Sequence, residues 1–328
     1  MFNAIMLRKS KDGSTTASVE KVDPTAFDSN NIEIDVSYST LNYKDALAIT
    51  GKAPIVRSWP MIPGIDLAGT VRHSMNPGIP EGTKVIVNGH GMGEQHWGGL
   101  AQRASVPAEW ITRLPEALSE RDAMGIGTAG YTAMLSVLAL EHHGVKPDDG
   151  PVLVTGANGG VGSFAIALLA GRGYHVTAST GRLEHTERLK SLGAKDVIDR
   201  NTLSEKGRPL QKERWAAAID CVGSHTLANI CAQVHYGGVV TACGLAQGLD
   251  FPATVAPFIL RGITLVGIDS VYASQSARER AWTCLANETT EKLRTNIASL
   301  LPLGDAIQGA HDLLAGRIQG RVIIDVTA

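Results

Sequence analysis

Cysteine is scarce in this 328-residue sequence, and Cys221, Cys231, Cys243 and Cys284 show none of the paired spacings of a zinc ribbon or a redox motif. Each stands among apolar or small residues, as in AAAIDCVG and VVTACGL, so buried reduced thiols are expected in preference to disulfides or metal ligands. An excess of one charge is also missing. A formal net charge of −2 gives no general attraction to nucleic acid or to an anionic membrane, so any anion must be held locally. No basic stripe is interleaved with aromatics, which leaves nucleic-acid binding without support. No uninterrupted run approaches the roughly 18 apolar residues of a membrane span. The opening MFNAIMLRKSKDG is charged too soon for a secretion signal. The expected location is the cytoplasm, with no membrane or nucleic-acid partner.

What is present is glycine in a telling place. The stretch VLVTGANGGVGS, Val152 to Ser163, reads as a strand of β-branched residues ending in a tight turn, and an apolar helical run follows over Phe164–Ala170. Gly156, Gly159 and Gly162 recur at three-residue intervals, a spacing variant of the dinucleotide fingerprint. A side chain at such a turn would stand where a pyrophosphate must sit, whereas glycine lets the amides at the helix start face the anion. A second strand, YHVTAST, returns over Tyr174–Thr180 as a βαβ unit requires. It ends at Ser179-Thr180-Gly181-Arg182, without the Asp or Glu that holds a free ribose 2′-hydroxyl. Small hydroxyls and an arginine suit a 2′-phosphate, so the expected cofactor is NADPH.

The length allows two domains with separate cores. Residues 1–120 alternate short β-rich runs (Phe2–Leu7, Ile32–Ser39, Gly69–Arg72, Lys84–Val87, Gly99–Val106) with turns rich in Gly, Pro and Asn, the texture of a compact antiparallel barrel. Asp122–Leu140 reads as a largely buried helix or helix pair. After the fingerprint, Asp196–Asp199, Trp215–Cys221, Gly237–Leu245 and Thr264–Asp269 complete a six-strand set, with helices at Leu183–Leu192 and Ser224–Gln233. That alternation predicts a parallel sheet covered on both faces. Helices to about Leu285, over Glu291–Ile297 and after Pro302 precede a β-branched closing strand, Gly320–Val326. That strand needs a sheet, and the amino-terminal domain is the expected host.

Together, Leu41-Asn42-Tyr43-Lys44-Asp45, Pro63-Gly64-Ile65-Asp66 with Gly69, Gly98-Gly99-Leu100-Ala101, Gly127-Thr128-Ala129-Gly130 and the fingerprint resemble the medium-chain dehydrogenase/reductases of the zinc-free quinone-oxidoreductase type. Within that family, NYKDALAITGK, PMIPGIDLAGT, GEQHWGGLA, GRPLQKERWA, PATVAPFILRGITLVGIDSV and QGRVIIDV are closer to the acryloyl-CoA reductase (NADPH) branch. The resemblance implies an α/β protein: a GroES-like β-barrel catalytic domain over residues 1–121 with 290–328, and a Rossmann doubly wound parallel-sheet coenzyme domain over 122–289. Zinc-dependent members hold their catalytic metal through an early cysteine. Asn42 stands in its place here and residues 88–110 lack cysteine, so no metal is expected, and His90, Glu94 and His96 are read as a polar loop.

The implied activity is NADPH-dependent reduction of acryloyl-CoA to propanoyl-CoA by hydride transfer to the β-carbon; the alternative acceptor is a quinone or small enone. A third reading is an NADPH-binding protein without turnover. The implied catalytic residues are Asn42, Tyr43 and Asp45: Tyr43 to stack on or hydrogen-bond with cofactor or substrate, Asn42 to donate its amide. Asp45 and Asp66 either orient these groups or close turns, and Lys44, Lys52 and Arg57 either meet coenzyme A phosphates or are solvated. Cofactor contacts carry over to Tyr43, Asn158, Gly159, Gly160, Val161, Thr180, Gly181, Arg182 and Arg200. Leu245, Ile263 and Ser270 are added as strand-end positions on the ligand side. The segment Gly262–Val271 is expected as a sheet edge pairing across a two-fold axis in a homodimer.

Overall fold

The computed structural model describes residues 1–27 and 31–328. The chain forms two compact units, Met1–Thr128 with Ser270–Ala328, and Ala129–Asp269. In the first unit, β1 (Phe2–Lys9) and β2 (Thr15–Val22) make an antiparallel hairpin. β3 (Ile32–Thr40), β4 (Asp66–His73), β5 (Lys84–Asn88), β6 (Arg103–Val106) and β7 (Thr112–Arg113) also pair antiparallel. Ile32, Ile34 and Val36 are buried and alternate with Glu33 and Asp35, the period of two of a strand with one covered face. The short helix Tyr43–Thr50 leaves the end of β3; its first turn is the segment NYKD.

The second unit is a parallel sheet. β8 (Val152–Val154), β9 (Val176–Thr180), β10 (Asp196–Asp199), β11 (Trp215–Asp220), β12 (Val234–Ala242) and β13 (Thr264–Gly267) lie in the order β10-β9-β8-β11-β12-β13. This is the doubly wound order, which reverses direction between β8 and β11. Every residue of β8, β9 and β11 is buried, which is why those segments show no polar alternation. Helices Gly160–Gly171 and Ser224–Gln233 supply crossovers.

From Ser270 the chain returns to the first unit, which corrects the expected boundary at residue 289. The reason lies in the helix Gln275–Glu288. Its buried Arg278 donates through Nη1 to the Asn88 carbonyl at 2.8 Å, and Trp282 Nε1 donates to Asn88 Oδ1 at 3.2 Å, so the helix is fastened to the end of β5. β14 (Ala298–Pro302) and β15 (Arg321–Asp325) follow, and the larger sheet reads β14-β15-β3-β4-β5-β7 with β6 also on β3. The closing strand is thus internal, parallel to β14 and antiparallel to β3.

Among the described residues one helix, Glu120–His142, is long and apolar enough to cross a membrane, although its sequence holds no uninterrupted apolar run of that length. Its apolar window is 78% buried within the chain, and Gly127, at φ 52° and ψ −164°, breaks it in two. Both features belong to a core helix.

Candidate active site

The first unit gathers Asn42, Tyr43 and Asp45 at the start of the helix Tyr43–Thr50. The Asn42 backbone N–H donates to Asp45 Oδ2 at 2.8 Å, fixing the first turn. Asp45 Oδ1 accepts from the Ile65 N–H at 3.0 Å. Asn42 Nδ2 donates to Asp66 Oδ2 at 2.8 Å and to Asp45 Oδ2 at 3.1 Å, while Asn42 Oδ1 accepts from Arg321 Nη1 at 2.8 Å. Both amide hydrogens are therefore committed to carboxylates. This corrects the expectation of an amide free to donate to a ligand. Tyr43, by contrast, is 50% exposed.

Asp66 is the hub. Its Oδ1 accepts from Asn88 Nδ2 at 2.6 Å and from the Thr128 hydroxyl, and its Oδ2 also accepts from the Thr128 N–H at 2.9 Å. Arg321 Nη2 lies 3.7 Å from Asp66 Oδ2 and donates to Thr40 Oγ1 at 2.6 Å. The two aspartates and Arg321 are all buried. Burial pushes the Asp45 carboxyl up to about 6, and the neighbouring Asp66 adds to the effect. Gly127 is required here: a Cβ on it would overlap the Arg321 guanidinium and stand 3.0 Å from Asp66 Oδ2, besides the strain of its positive φ. Arg321, Asn88 and Thr40 were missed as partners from sequence. Lys44 is ion-paired with Glu94 at 2.8 Å, so it is not a free cation.

The second unit brings together most of the expected cofactor residues at the carboxyl ends of β8 and β9. A Cβ on Gly162 would run into the Gly156 carbonyl and stand 2.7 Å from Ala157 Cα, which explains the glycine at the start of the helix Gly160–Gly171. Gly159 caps that helix, and Gly160 and Val161 open it. Asn158 Nδ2 donates to Thr180 Oγ1 at 2.6 Å, and its Oδ1 is buried with no partner. The Arg182 N–H donates to Thr180 Oγ1 at 3.0 Å, and the Arg200 N–H to the Thr180 carbonyl at 2.9 Å. The Arg200 side chain crosses Gly181, where a Cβ would lie 2.5 Å from its Nε. A third guanidinium, Arg188, was not singled out from sequence. Its Nη2 donates to Ser163 Oγ at 3.2 Å, its Nη1 is buried without a partner, and burial and the charge of Arg182 hold its pKa below the ordinary range.

Three outlying positions separate. Leu245 follows the carboxyl end of β12 and is exposed. Ile263 precedes β13 and is packed in the core of the sheet, so it lies at the amino end and not on the ligand side, a correction to the expectation. Ser270 follows β13 but belongs to the first unit.

A zinc shell does not fit these residues. The Asn42 oxygen already faces a guanidinium, which would repel a second cation. His90 stacks on Trp110 with ring centroids 5.1 Å apart, His96 packs edge-on to the same ring at 4.9 Å, and Glu94 faces Lys44. Among the described residues no group of His, Cys, Asp and Glu converges as a metal shell would.

Comparison with known proteins matches residues 28–116 to the alcohol dehydrogenase GroES-like domain and residues 160–287 to the zinc-binding dehydrogenase family. The chain is 50% identical, over 98% of its length and 99% of the relative's, to the probable acrylyl-CoA reductase AcuI of Escherichia coli (strain K12). It is 47% identical to the acrylyl-CoA reductase AcuI of Ruegeria pomeroyi, with both chains fully covered. The crystal structure of the YhdH oxidoreductase from Salmonella enterica in complex with NADP superposes with a TM-score of 0.96 at 48% identity, covering 99% of each chain. With its fold, its glycine turn and its full-length relatives in agreement, this chain belongs to the medium-chain dehydrogenase/reductase superfamily.

Proposed function

We propose that the chain is an NADPH-dependent oxidoreductase that reduces the carbon–carbon double bond of acryloyl-CoA to propanoyl-CoA without a metal. The observation that carries this reading is the near-complete match, at 50% and 47% identity, to two proteins described as acrylyl-CoA reductases. The cofactor supplies the hydride when bound. Gly156, Gly159 and Gly162 leave room for its pyrophosphate, and the amides of Gly160 and Val161 face that anion from the helix start. Asn158, Thr180, Gly181, Arg182 and Arg200, with Arg188 behind them, hold the 2′-phosphate side, and three guanidiniums suit the extra charge that separates NADPH from NADH. Leu245 and Ser270 are weaker contacts.

In the first unit Tyr43 meets the cofactor or substrate, being the exposed member of its group. Asn42 and Asp45 position it through the first helical turn, and Asp66 and Arg321 hold Asn42 in turn, with Thr128 bonded to Asp66. Preorganisation of this kind lowers the barrier by removing reorganisation at the moment of reaction. The substrate is a small molecule, and neither nucleic acid nor membrane is a partner. The protein acts in the cytoplasm as a homodimer paired along the β13 edge, where Ile259 and Leu260 on the preceding helix are exposed.

The test is steady-state NADPH oxidation with acryloyl-CoA against a soluble benzoquinone at equal cofactor. Faster turnover of the enoyl ester supports the reading. A quinone preferred by a large factor replaces it with a quinone oxidoreductase, and tight NADPH binding without oxidation of any enoyl ester removes the enzymatic reading.

A further inference from the structure

Cys221 and Cys243 extend β11 and β12 by one residue each, directly beyond the register pair Asp220 and Ala242. Side chains paired in register on parallel strands leave the sheet on the same face, and the two sulfurs stand 3.8 Å apart. Of the four cysteines, these two alone are in contact among the described residues; Cys231 is fully buried and Cys284 belongs to the other unit. Neither residue is completely buried.

The pair also sits against the glycine turn. A Cβ placed on Gly156 would lie 3.1 Å from Cys221 Cβ. The Cys221 N–H donates at 3.0 Å to the hydroxyl of Thr155, the residue before that glycine. Cys243 Sγ donates to the Asp220 carbonyl at 3.3 Å, and Leu245 follows two positions later. The neighbouring sulfur and burial hold the Cys221 thiol well above its ordinary range, so Cys221 suits the second, bond-closing step and not the first attack on the oxidant.

We propose that Cys221 and Cys243 form a reversible disulfide under peroxide, and that this bond weakens NADPH binding at the adjoining glycine turn. One sulfur, as thiolate, attacks a peroxide oxygen and becomes a sulfenic acid as the O–O bond breaks and, with a proton, water leaves. The second sulfur attacks the first, displaces the hydroxyl as another water, and the S–S bond forms. The two thiols lose two electrons and two protons in all, and hydrogen peroxide is reduced to two waters. Bringing the sulfurs from 3.8 Å to bonding distance draws the ends of β11 and β12 together beside Gly156 and stiffens the segment leading to Leu245. The effect on NADPH rests on the cofactor reading above; formation of the bond does not.

Reduced protein is treated with hydrogen peroxide, digested without reductant and analysed by mass spectrometry, and NADPH affinity is measured before and after. The expected result is a peptide pair joining Cys221 to Cys243, absent in Cys221→Ser and in Cys243→Ser and retained in Cys284→Ser. NADPH affinity should fall about tenfold, recover with dithiothreitol, and be unmoved by peroxide in the doubly substituted protein. If the serine variants misfold, the wild-type peptide map and the dithiothreitol reversal decide. Over-oxidised cysteines without the cross-link, or a cross-link that leaves affinity unchanged, overturns the proposal. A reduced protein that never binds NADPH sinks the cofactor reading instead, and the peptide map still decides whether the disulfide exists.

Discussion

Asp66 and Asp220 are both completely buried, one in each unit, and their surroundings differ in kind. Around Asp66 the chain has assembled amide, hydroxyl and backbone donors and a guanidinium, Arg321, which is itself buried. Around Asp220 the partners are neutral: the Thr155 hydroxyl at 2.6 Å and the N–H groups of Gly223 at 2.7 Å and Val222 at 3.3 Å. Among the described residues no cation stands within ion-pair distance of it, and burial pushes its carboxyl up to about 6. A carboxylate without water needs either an opposite charge or a proton close at hand. Asp66 has the former, whereas Asp220 takes up a proton only as the pH falls through about 6.

The largest effect should come from removing the cation. Arg321→Met leaves Asp66 and the Asn42 oxygen facing an apolar chain, and stability in urea should fall by about 3–5 kcal/mol. A variant as stable as the parent would erase the distinction between the two aspartates. Next comes the pH behaviour of Asp220→Asn. The folded value of about 6 lies above the ordinary 3.8, so the folded state binds the proton more tightly. The stability from Asp220 is complete below 3.8 and is lost as the pH rises through 6. The parent should therefore lose up to about 3 kcal/mol relative to the Asn variant between pH 4 and pH 8. Parallel stability profiles for the two proteins would show that Asp220 stays ionised.

A third prediction sets a cation that faces inward against one proposed to meet a ligand. Arg182→Ala should cost NADPH about 1.5–3 kcal/mol of binding, one to two orders of magnitude, and leave NADH nearly untouched. Equal losses for both cofactors in fluorescence titrations would take Arg182 out of the 2′-phosphate site. The smallest effect belongs to the same chemistry in water. Arg8 and Glu20 meet at 2.8 Å on the β1–β2 hairpin with much of both side chains exposed, and Arg8→Met should change stability by no more than about 1 kcal/mol. A loss comparable with that of Arg321→Met would mean that burial is not what separates the pairs.

The glycine turn was legible in the sequence because its geometry leaves no substitute at Gly162, and the strand Asp196–Asp199 and helices Ser224–Gln233 and Glu291–Ile297 have the bounds their patterns gave. Harder to see was anything whose meaning lies in a distant partner. The residues NYKD look like turn chemistry until Asp45 is seen closing the first turn of a helix, and Asp66 looks like a loop residue until Asn88, Thr128 and Arg321 surround it. β2 and β14 escaped because polar or short edge segments carry little hydrophobic period. Arg188 was passed over since a basic residue on a short charged helix ordinarily faces solvent, and only the structure brings it to Ser163. Ile263 was placed at the wrong end of its strand because β13 is four residues long, too short for sequence to fix its ends.

Thr40 donates its hydroxyl to the carbonyl of Val322 across 282 positions of chain. On the ribosome, β3 is made early and must wait for β15 until the whole parallel sheet has been translated. The second unit, continuous in sequence, can mature while the first still has an open seam. Because Arg321 arrives on that last strand, Asp66 spends the wait without its guanidinium, and the carboxylate cluster can be sealed from water only when the seam closes.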